Sequence, residues 1–261
     1  MKKILFLLCI VLAVTACGIS SRTAGDRQKV TVGICKNGSS KTFIKYFTKC
    51  VKDAGARPYF FPAYATTDEM AREFVSSVDA IIVPGKAGAD TAGRSKYDYK
   101  IIREAIAQGK PVLGICLGHQ EINGVYGGKI GSIAKYHPDT EIKHKEKVDN
   151  FNKGINTEAH AITIDTTSRL YAIYGQEHVM VNTSHGFSIT TLGDGLKVVA
   201  TADDGVIEAI EDNSHNVMGV QYHPEALYGR LKLKKHLLIF KNLVNEARQA
   251  RAARLAAASA Q

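Results

Sequence analysis

The chain has no CxxC pair and no histidine–cysteine cluster at zinc-ligand spacing, so its spacing alone presents no metal site. No glycine-rich phosphate loop is visible, and no nucleotide is expected. A basic stripe with interleaved aromatics is also missing. Lys and Arg total 34 against 25 Asp and Glu, a net +9 that is spread along the chain. This fits a solvated basic surface and argues against nucleic-acid binding. No internal repeat or domain boundary stands out. With 45% hydrophobic and 23% charged residues, the composition is that of a globular protein, which excludes disordered, collagen-like and coiled-coil chains. Its 261 residues suit one large domain or two small ones.

Long apolar runs are absent save one. After Met1-Lys2-Lys3, Ile4 to Val14 is eleven unbroken apolar residues. A membrane-spanning helix needs about 20, so this run fits the apolar region of a secretory signal. Val14-Thr15-Ala16-Cys17-Gly18 follows and resembles the bacterial lipoprotein signal, in which Cys17 would be acylated and become the mature N-terminus. The competing reading is an ordinary signal with an incidental cysteine. Removal of the segment would take Lys2 and Lys3 with it and leave a net charge of +7. With Cys9 in the signal and Cys17 at the lipid site, Cys35, Cys50 and Cys116 remain, and an odd number leaves at least one free thiol. Cys35 and Cys50 lie in apolar segments and are expected as core thiols, a pair between them being the alternative.

The body alternates strand and helix patterns. Strands are expected at Lys29 to Cys35, Arg57 to Phe61, Asp79 to Val83 and Pro111 to Ile115. Helices are expected at Thr42 to Ala54, from Thr67 to Val78 with a capping signal, at Tyr97 to Gln108, and directly after Cys116. This order predicts an α/β fold, a mostly parallel central sheet flanked by helices. From Glu158 onward the strands become short and close: His160 to Ile164, Val179 to Asn182, Lys197 to Ala202, Val206 to Ile210 and Val217 to Tyr222. They are expected as hairpins or added edge strands. Gly127 to Asn156 reads as a long surface loop, and Leu233 to Ala258 as a closing helix.

Two short stretches carry chemistry. In Pro111-Val112-Leu113-Gly114-Ile115-Cys116-Leu117-Gly118-His119-Gln120, an apolar strand runs into Gly-x-Cys-x-Gly and then a helix. This is a nucleophile elbow with cysteine in place of serine. The helix N-terminus favours negative charge on the sulfur. In Val217 to Glu225, an apolar strand ends in His223-Pro224-Glu225. A cysteine nucleophile needs a base, and the base needs an orienting partner. An extended segment would put His223 and Glu225 on one side.

Together, GICLGHQ and GVQYHPE, with IIVPGKAGAD, GKPVLGICLGHQEINGVYGG, VNTSHGFSI and DGVIEAIE, resemble the class I glutamine amidotransferase superfamily. Within it the chain is most similar to the γ-glutamyl hydrolase and γ-glutamyl-γ-aminobutyrate hydrolase (peptidase C26) branch. The resemblance implies a flavodoxin-like fold, and with the N-terminal reading it divides the chain into signal peptide (1–16), tether (17–28) and one hydrolase domain (29–258). It implies Cys116 as nucleophile, His223 as general base and acid, and Glu225 as orienter. The backbone amides of Lys86 and Leu117 would form the oxyanion hole, and Gln120 and His185 would lie near the substrate. The implied reaction is hydrolysis of a γ-glutamyl amide through a thioester on Cys116, without metal or organic cofactor and with no obligatory protein partner. The lipoprotein-like signal implies export and a lipid anchor on Cys17 in a bacterial cell envelope, on its periplasmic or surface side. The alternatives are a glutaminase that donates ammonia within an amidotransferase, and a non-catalytic binding module. Three departures bear on the substrate. His185-Gly186-Phe187 stands where bacterial members tend to show His-His-Gln, Tyr222 stands where Trp is usual, and Lys86-Ala87-Gly88 follows Pro84-Gly85 instead of a clean Gly-Gly. They point to an altered pocket for the leaving amine.

Overall fold

The computed structural model describes residues 29–35, 41–85, 94–145, 155 and 157–260. Five parallel strands lie side by side in the order β2 (Arg57–Phe60), β1 (Thr31–Ile34), β3 (Ala80–Val83), β4 (Val112–Ile115) and β11 (Val217–Val220). The sheet continues antiparallel through β10 (Ile207–Asp212), β9 (Lys197–Thr201), β6 (His160–Ile164) and β7 (His178–Val181). The sequences explain the difference between the halves. TVGI, AIIV, VLGI and VMGV are buried at every residue, as strands covered on both faces must be. HVMV of β7 alternates exposed and buried, and so has one wet face.

Alternation in the central strands feeds two cores. Ile82, Leu113 and Ile115 face one side with Phe43, Phe47 and Val51 of α1 (Lys41–Asp53) and with Phe240 and Leu243 of α8 (Leu238–Ser259). Ile81, Val83 and Val112 face the other with Val75 of α2 (Asp68–Ser76), Ile101 and Ile102 of α3 (Ser95–Ala107) and Ile122 of α4 (Leu117–Val125). The Thr67 hydroxyl caps α2 by accepting from the Met70 amide, as the capping signal predicts. Cys35 and Cys50 are free buried thiols.

Three expectations are corrected. Within 127–156, β5 (Lys129–Ser132) pairs with β8 (Phe187–Thr191) as a separate two-stranded sheet, and α5 (Ile133–Tyr136) follows it. KIGS is too short and too polar to signal a strand without its distant partner. A short helix α6 (Arg169–Tyr174), capped by Ser168, joins β6 to β7, where the sequence pattern predicts no helix. The closing helix begins at Leu238, preceded by a 3₁₀ turn at Lys234–Leu237.

Candidate active site

The elbow forms as its glycines require. Cys116 leaves β4 with φ 54 and ψ −103, a left-handed conformation that a non-glycine residue adopts only at a cost, on the order of 1–3 kcal/mol. The chain then turns at once into α4, whose first residue is Leu117. The turn is this sharp because helix and strand nearly touch. A Cβ on Gly118 would stand 2.0 Å from the Val83 carbonyl oxygen, and one on Gly114 would stand 2.5 Å from the Gly118 oxygen. The Leu117 amide lies in the first turn of α4, where backbone N–H groups lack partners within the helix.

Strand pairing brings the second stretch alongside. β11 lies next to β4 in register, Val220 opposite Ile115, and the Cys116 amide donates to the Val220 carbonyl at 2.8 Å. Three residues later comes His223, with its backbone held from two directions by one side chain. The His223 amide donates to Asn182 Oδ1 at 2.8 Å, while Asn182 Nδ2 donates to the His223 carbonyl at 3.1 Å. Asn182 is fully buried and follows β7; the motif VNTSHGFSI contains it, but nothing local singles it out.

His223 Nδ1 lies 2.8 Å from Glu225 Oε1, with both side chains buried. The expected reason for their approach needs correcting. The pair is not in an extended segment: His223 caps α7 (Pro224–Gly229), and Glu225 sits in its first turn. Pro224, at the first helical position, drives that bend. With Nδ1 committed to Glu225, Nε2 is the nitrogen left to face Cys116, which is among the groups that raise the ring's basicity. Burial works against a charged imidazole here, but the Glu225 carboxylate and then Cys116 outweigh it and push His223 up to about 10.

Gly85, at the end of β3, completes the contact. A Cβ there would meet His223 Cε1 at 2.7 Å and Cys116 Cβ at 3.2 Å. Gly85→Ala is therefore expected to displace the ring and lower kcat by about 100-fold, the scale of a 1 Å misplacement, with thermal unfolding little changed. Steady-state kinetics beside a melting curve check this.

Three comparisons bear on this arrangement. A family model described as Peptidase C26 matches residues 19–225. The chain belongs to the peptidase C26 family.

Relatives of this C26 chain include the glutamine amidotransferase-like protein YvdE of Lactococcus lactis, 29% identical over 72% of the chain and 80% of the relative. The γ-glutamyl-γ-aminobutyrate hydrolase PuuD of Escherichia coli is 24% identical over 75% of the chain and 85% of PuuD. A crystal structure described as a GMP synthase component from Thermoplasma acidophilum superposes with a TM-score of 0.62 at 16% identity, covering 87% of this chain and 98% of that one. That likeness concerns the fold, an α/β sheet flanked by helices. Family and relatives together put the C26 chain among the glutamine amidotransferase-like and γ-glutamyl hydrolases.

The remaining expected site residues of the C26 chain fall in three places. Lys86 and Cys17 lie outside the described residues. Gln120 is buried, and its Nε2 donates to Gln221 Oε1 and to the Phe187 carbonyl, both at 3.0 Å, leaving Oε1 for a further partner. His185 shares that carbonyl: its Nδ1 is 3.1 Å from Phe187 O, while its Nε2 is 3.4 Å from Glu208 Oε1.

Arg94 carries no signal in the sequence, yet it supports the site. Its side chain is buried, donates to the carbonyls of Pro84 at 2.7 Å and Gly85 at 3.1 Å, and pairs with Asp98 at 2.6 Å and Glu121 at 3.3 Å. It thus ties down Pro84 and Gly85 just past the end of β3. Burial, then repulsion from Asp98, pushes Glu121 up to about 8 against the pull of Arg94.

Proposed function

We propose that this protein hydrolyses γ-glutamyl amide bonds through a γ-glutamyl thioester on Cys116. The observation that carries the reading is the juxtaposition of Cys116 with the His223–Glu225 pair at the ends of two neighbouring parallel strands. Similarity to PuuD adds the substrate class.

In the proposed cycle the Cys116 sulfur, its proton passed to His223, attacks the δ-carbonyl, and the Leu117 and Lys86 amides stabilise the resulting oxyanion. Losing one such donor typically costs about 3 kcal/mol of transition-state stabilisation. His223 gives its proton to the leaving amine as the C–N bond breaks, and the acyl group stays on sulfur. The now neutral ring takes a proton from water, whose oxygen attacks the thioester. The S–C bond breaks, glutamate leaves, and the freed sulfur again stands beside the protonated ring. Glu225 keeps Nδ1 protonated and the ring aimed throughout. Gln120 and His185 act on the substrate side through the Phe187 carbonyl they share.

The testing experiment is a panel of γ-glutamyl peptides, γ-glutamyl amines and free glutamine, given to purified protein lacking residues 1–17. Release of glutamate from peptides or amines supports the reading. Ammonia release from glutamine alone would turn it toward the glutaminase half of an amidotransferase.

A pH dependence follows from the position of His223. Its folded value lies above the ordinary 6.5, so the acid form persists below about 10 and is lost above it. Turnover is expected to fall as pH rises through about 10, since the leaving amine then lacks its proton donor. The same shift adds stability that is complete below pH 6.5 and disappears through that upper range. Glu225→Gln should move the alkaline limb of kcat/KM down by at least about one pH unit, the scale on which a lost neighbouring charge acts; an unmoved limb assigns it to another group.

We further propose that the protein is exported and anchored by a lipid on Cys17. If Cys17 carries the only anchor, Cys17→Ser is expected to move the protein from the membrane to the soluble fraction. Fractionation followed by immunoblotting measures it.

A further inference from the structure

Outside the Cys116–His223–Glu225 set, the antiparallel half of the sheet buries an unusual group of side chains. Glu208 of β10 has no solvent exposure, and neither of its carboxylate oxygens makes a hydrogen bond among the described residues. Around its Oε1 stand three imidazole nitrogens: His144 Nδ1 at 3.5 Å, His160 Nε2 at 3.7 Å and His185 Nε2 at 3.4 Å. All three nitrogens are buried and lack a hydrogen-bond partner among the described residues.

The opposite nitrogen of each ring explains why this needs a cation. His144 Nε2 is 2.8 Å from the Asp204 carboxylate, His160 Nδ1 is 3.0 Å from the Ala161 carbonyl, and His185 Nδ1 is 3.1 Å from the Phe187 carbonyl. Carboxylates and carbonyls only accept, so these three nitrogens carry the hydrogens. In the neutral rings, the inward nitrogens therefore present lone pairs to a buried carboxylate. Four electron-rich atoms converging without solvent repel one another unless a positive charge lies between them.

Distances favour a metal over one shared proton. A proton would draw a single nitrogen to ordinary hydrogen-bond length, whereas all three stay at 3.4–3.7 Å from one oxygen. Ligand atoms at the corners of a zinc tetrahedron, with bonds of about 2.0–2.1 Å, stand about 3.3–3.4 Å apart. His144 Nδ1, His160 Nε2 and a Glu208 oxygen lie mutually close enough to share an ion. Histidines hydrogen-bonded through their far nitrogen to a carboxylate or carbonyl are also the usual support around protein metal ions. The backbone reinforces the placement, since the His144 carbonyl accepts from the Thr183 hydroxyl at 2.7 Å and from the His185 amide at 2.9 Å. A pocket of about 450 Å³, lined by Ile142, Glu158, His160 and Thr183, lies beside the cluster at His160.

We propose that His144, His160 and Glu208 bind a divalent transition-metal ion of the zinc class, with His185 on its open side. Far apart in the chain, the three ligands show no spacing motif, which is why the sequence points to no metal. The ion would tie the loop carrying His144 to β6 and β10. Through His185 and the Phe187 carbonyl it would also abut Gln120.

The test uses full-length Cys116→Ala protein, so that the catalytic thiol cannot contribute a ligand. After stripping with a chelator it is titrated with Co²⁺ and, separately, with Zn²⁺. Expected are one bound ion per chain, the visible absorption of Co²⁺ in a low-coordinate nitrogen–oxygen site, and a rise in melting temperature of several degrees with Zn²⁺. Glu208→Gln and His160→Gln should each abolish stoichiometric uptake. Asp204→Asn, which weakens the support behind His144 along with the Asp204 bond from the Thr140 hydroxyl, should lower affinity by about 10–100-fold. His215→Gln, outside the cluster, should bind as the parent does. If Glu208→Gln does not fold, by circular dichroism of the stripped protein, His160→Gln and Asp204→Asn decide. Absence of stoichiometric uptake by the parent, or unchanged uptake by the folded cluster variants, overturns the proposal in favour of a proton-sharing network.

Discussion

Cys116→Ala is expected to remove turnover, on the order of a million-fold in kcat, the scale reached when a hydrolase of this type loses its nucleophile. The fold should survive. Cys116 is already nearly buried, and alanine keeps the Cβ that the neighbouring Gly85 accommodates. Removing one sulfur from a site with little surface to lose costs far less than a large core truncation. A thiol-directed γ-glutamyl electrophile gives a second measurement. Mass spectrometry should show one adduct on Cys116 in the parent and none in the variant. Residual turnover near that of the parent would end the cysteine mechanism, and failure of the parent to label would favour a binding module.

Arg94→Ala should be the most damaging change away from the reacting atoms. It strands Asp98 and Glu121, two buried carboxylates, and takes two donors from the Pro84 and Gly85 carbonyls. Breaking a buried ion pair from one side typically costs about 3–5 kcal/mol, and urea denaturation should show a loss in that range. Activity should fall further than the unfolded fraction explains, because Gly85 packs against His223 and Cys116. Adding Glu121→Gln to Arg94→Ala should change stability little at neutral pH, because the Glu121 carboxyl, pushed up to about 8 even beside Arg94, is already mostly neutral. A loss below about 1 kcal/mol, well under the usual cost of a stranded buried charge, would mean that Asp98 too is neutral and indifferent to the guanidinium.

How much is legible beforehand depends on the range of the interaction. Gly114 and Gly118 around Cys116 state a local steric demand, so the elbow is legible, and the apolar runs mark the parallel core strand by strand. His223 is legible as a strand-end histidine, yet an extended backbone is the wrong reason for its link to Glu225, since the chain bends into a helix there. Arg94, Asn182 and Glu208 are invisible for a shared reason. Polar side chains look solvated in a sequence, and only the packing of distant segments shows them to be buried. The pairing of β5 with β8 escapes likewise, since neither strand has a strong pattern without the other.

The strained backbone at Cys116 is not a local property of its tripeptide. It is imposed where α4 is pressed onto β3 so tightly that Gly118 meets the Val83 carbonyl. Its partner imidazole is made more than a hundred residues later in the chain. A nascent or unfolded polypeptide thus carries an ordinary thiol, and competence arrives only when the C-terminal strand has docked. Synthesis must pass His223 before the proposed thiol–imidazole pair can form at all.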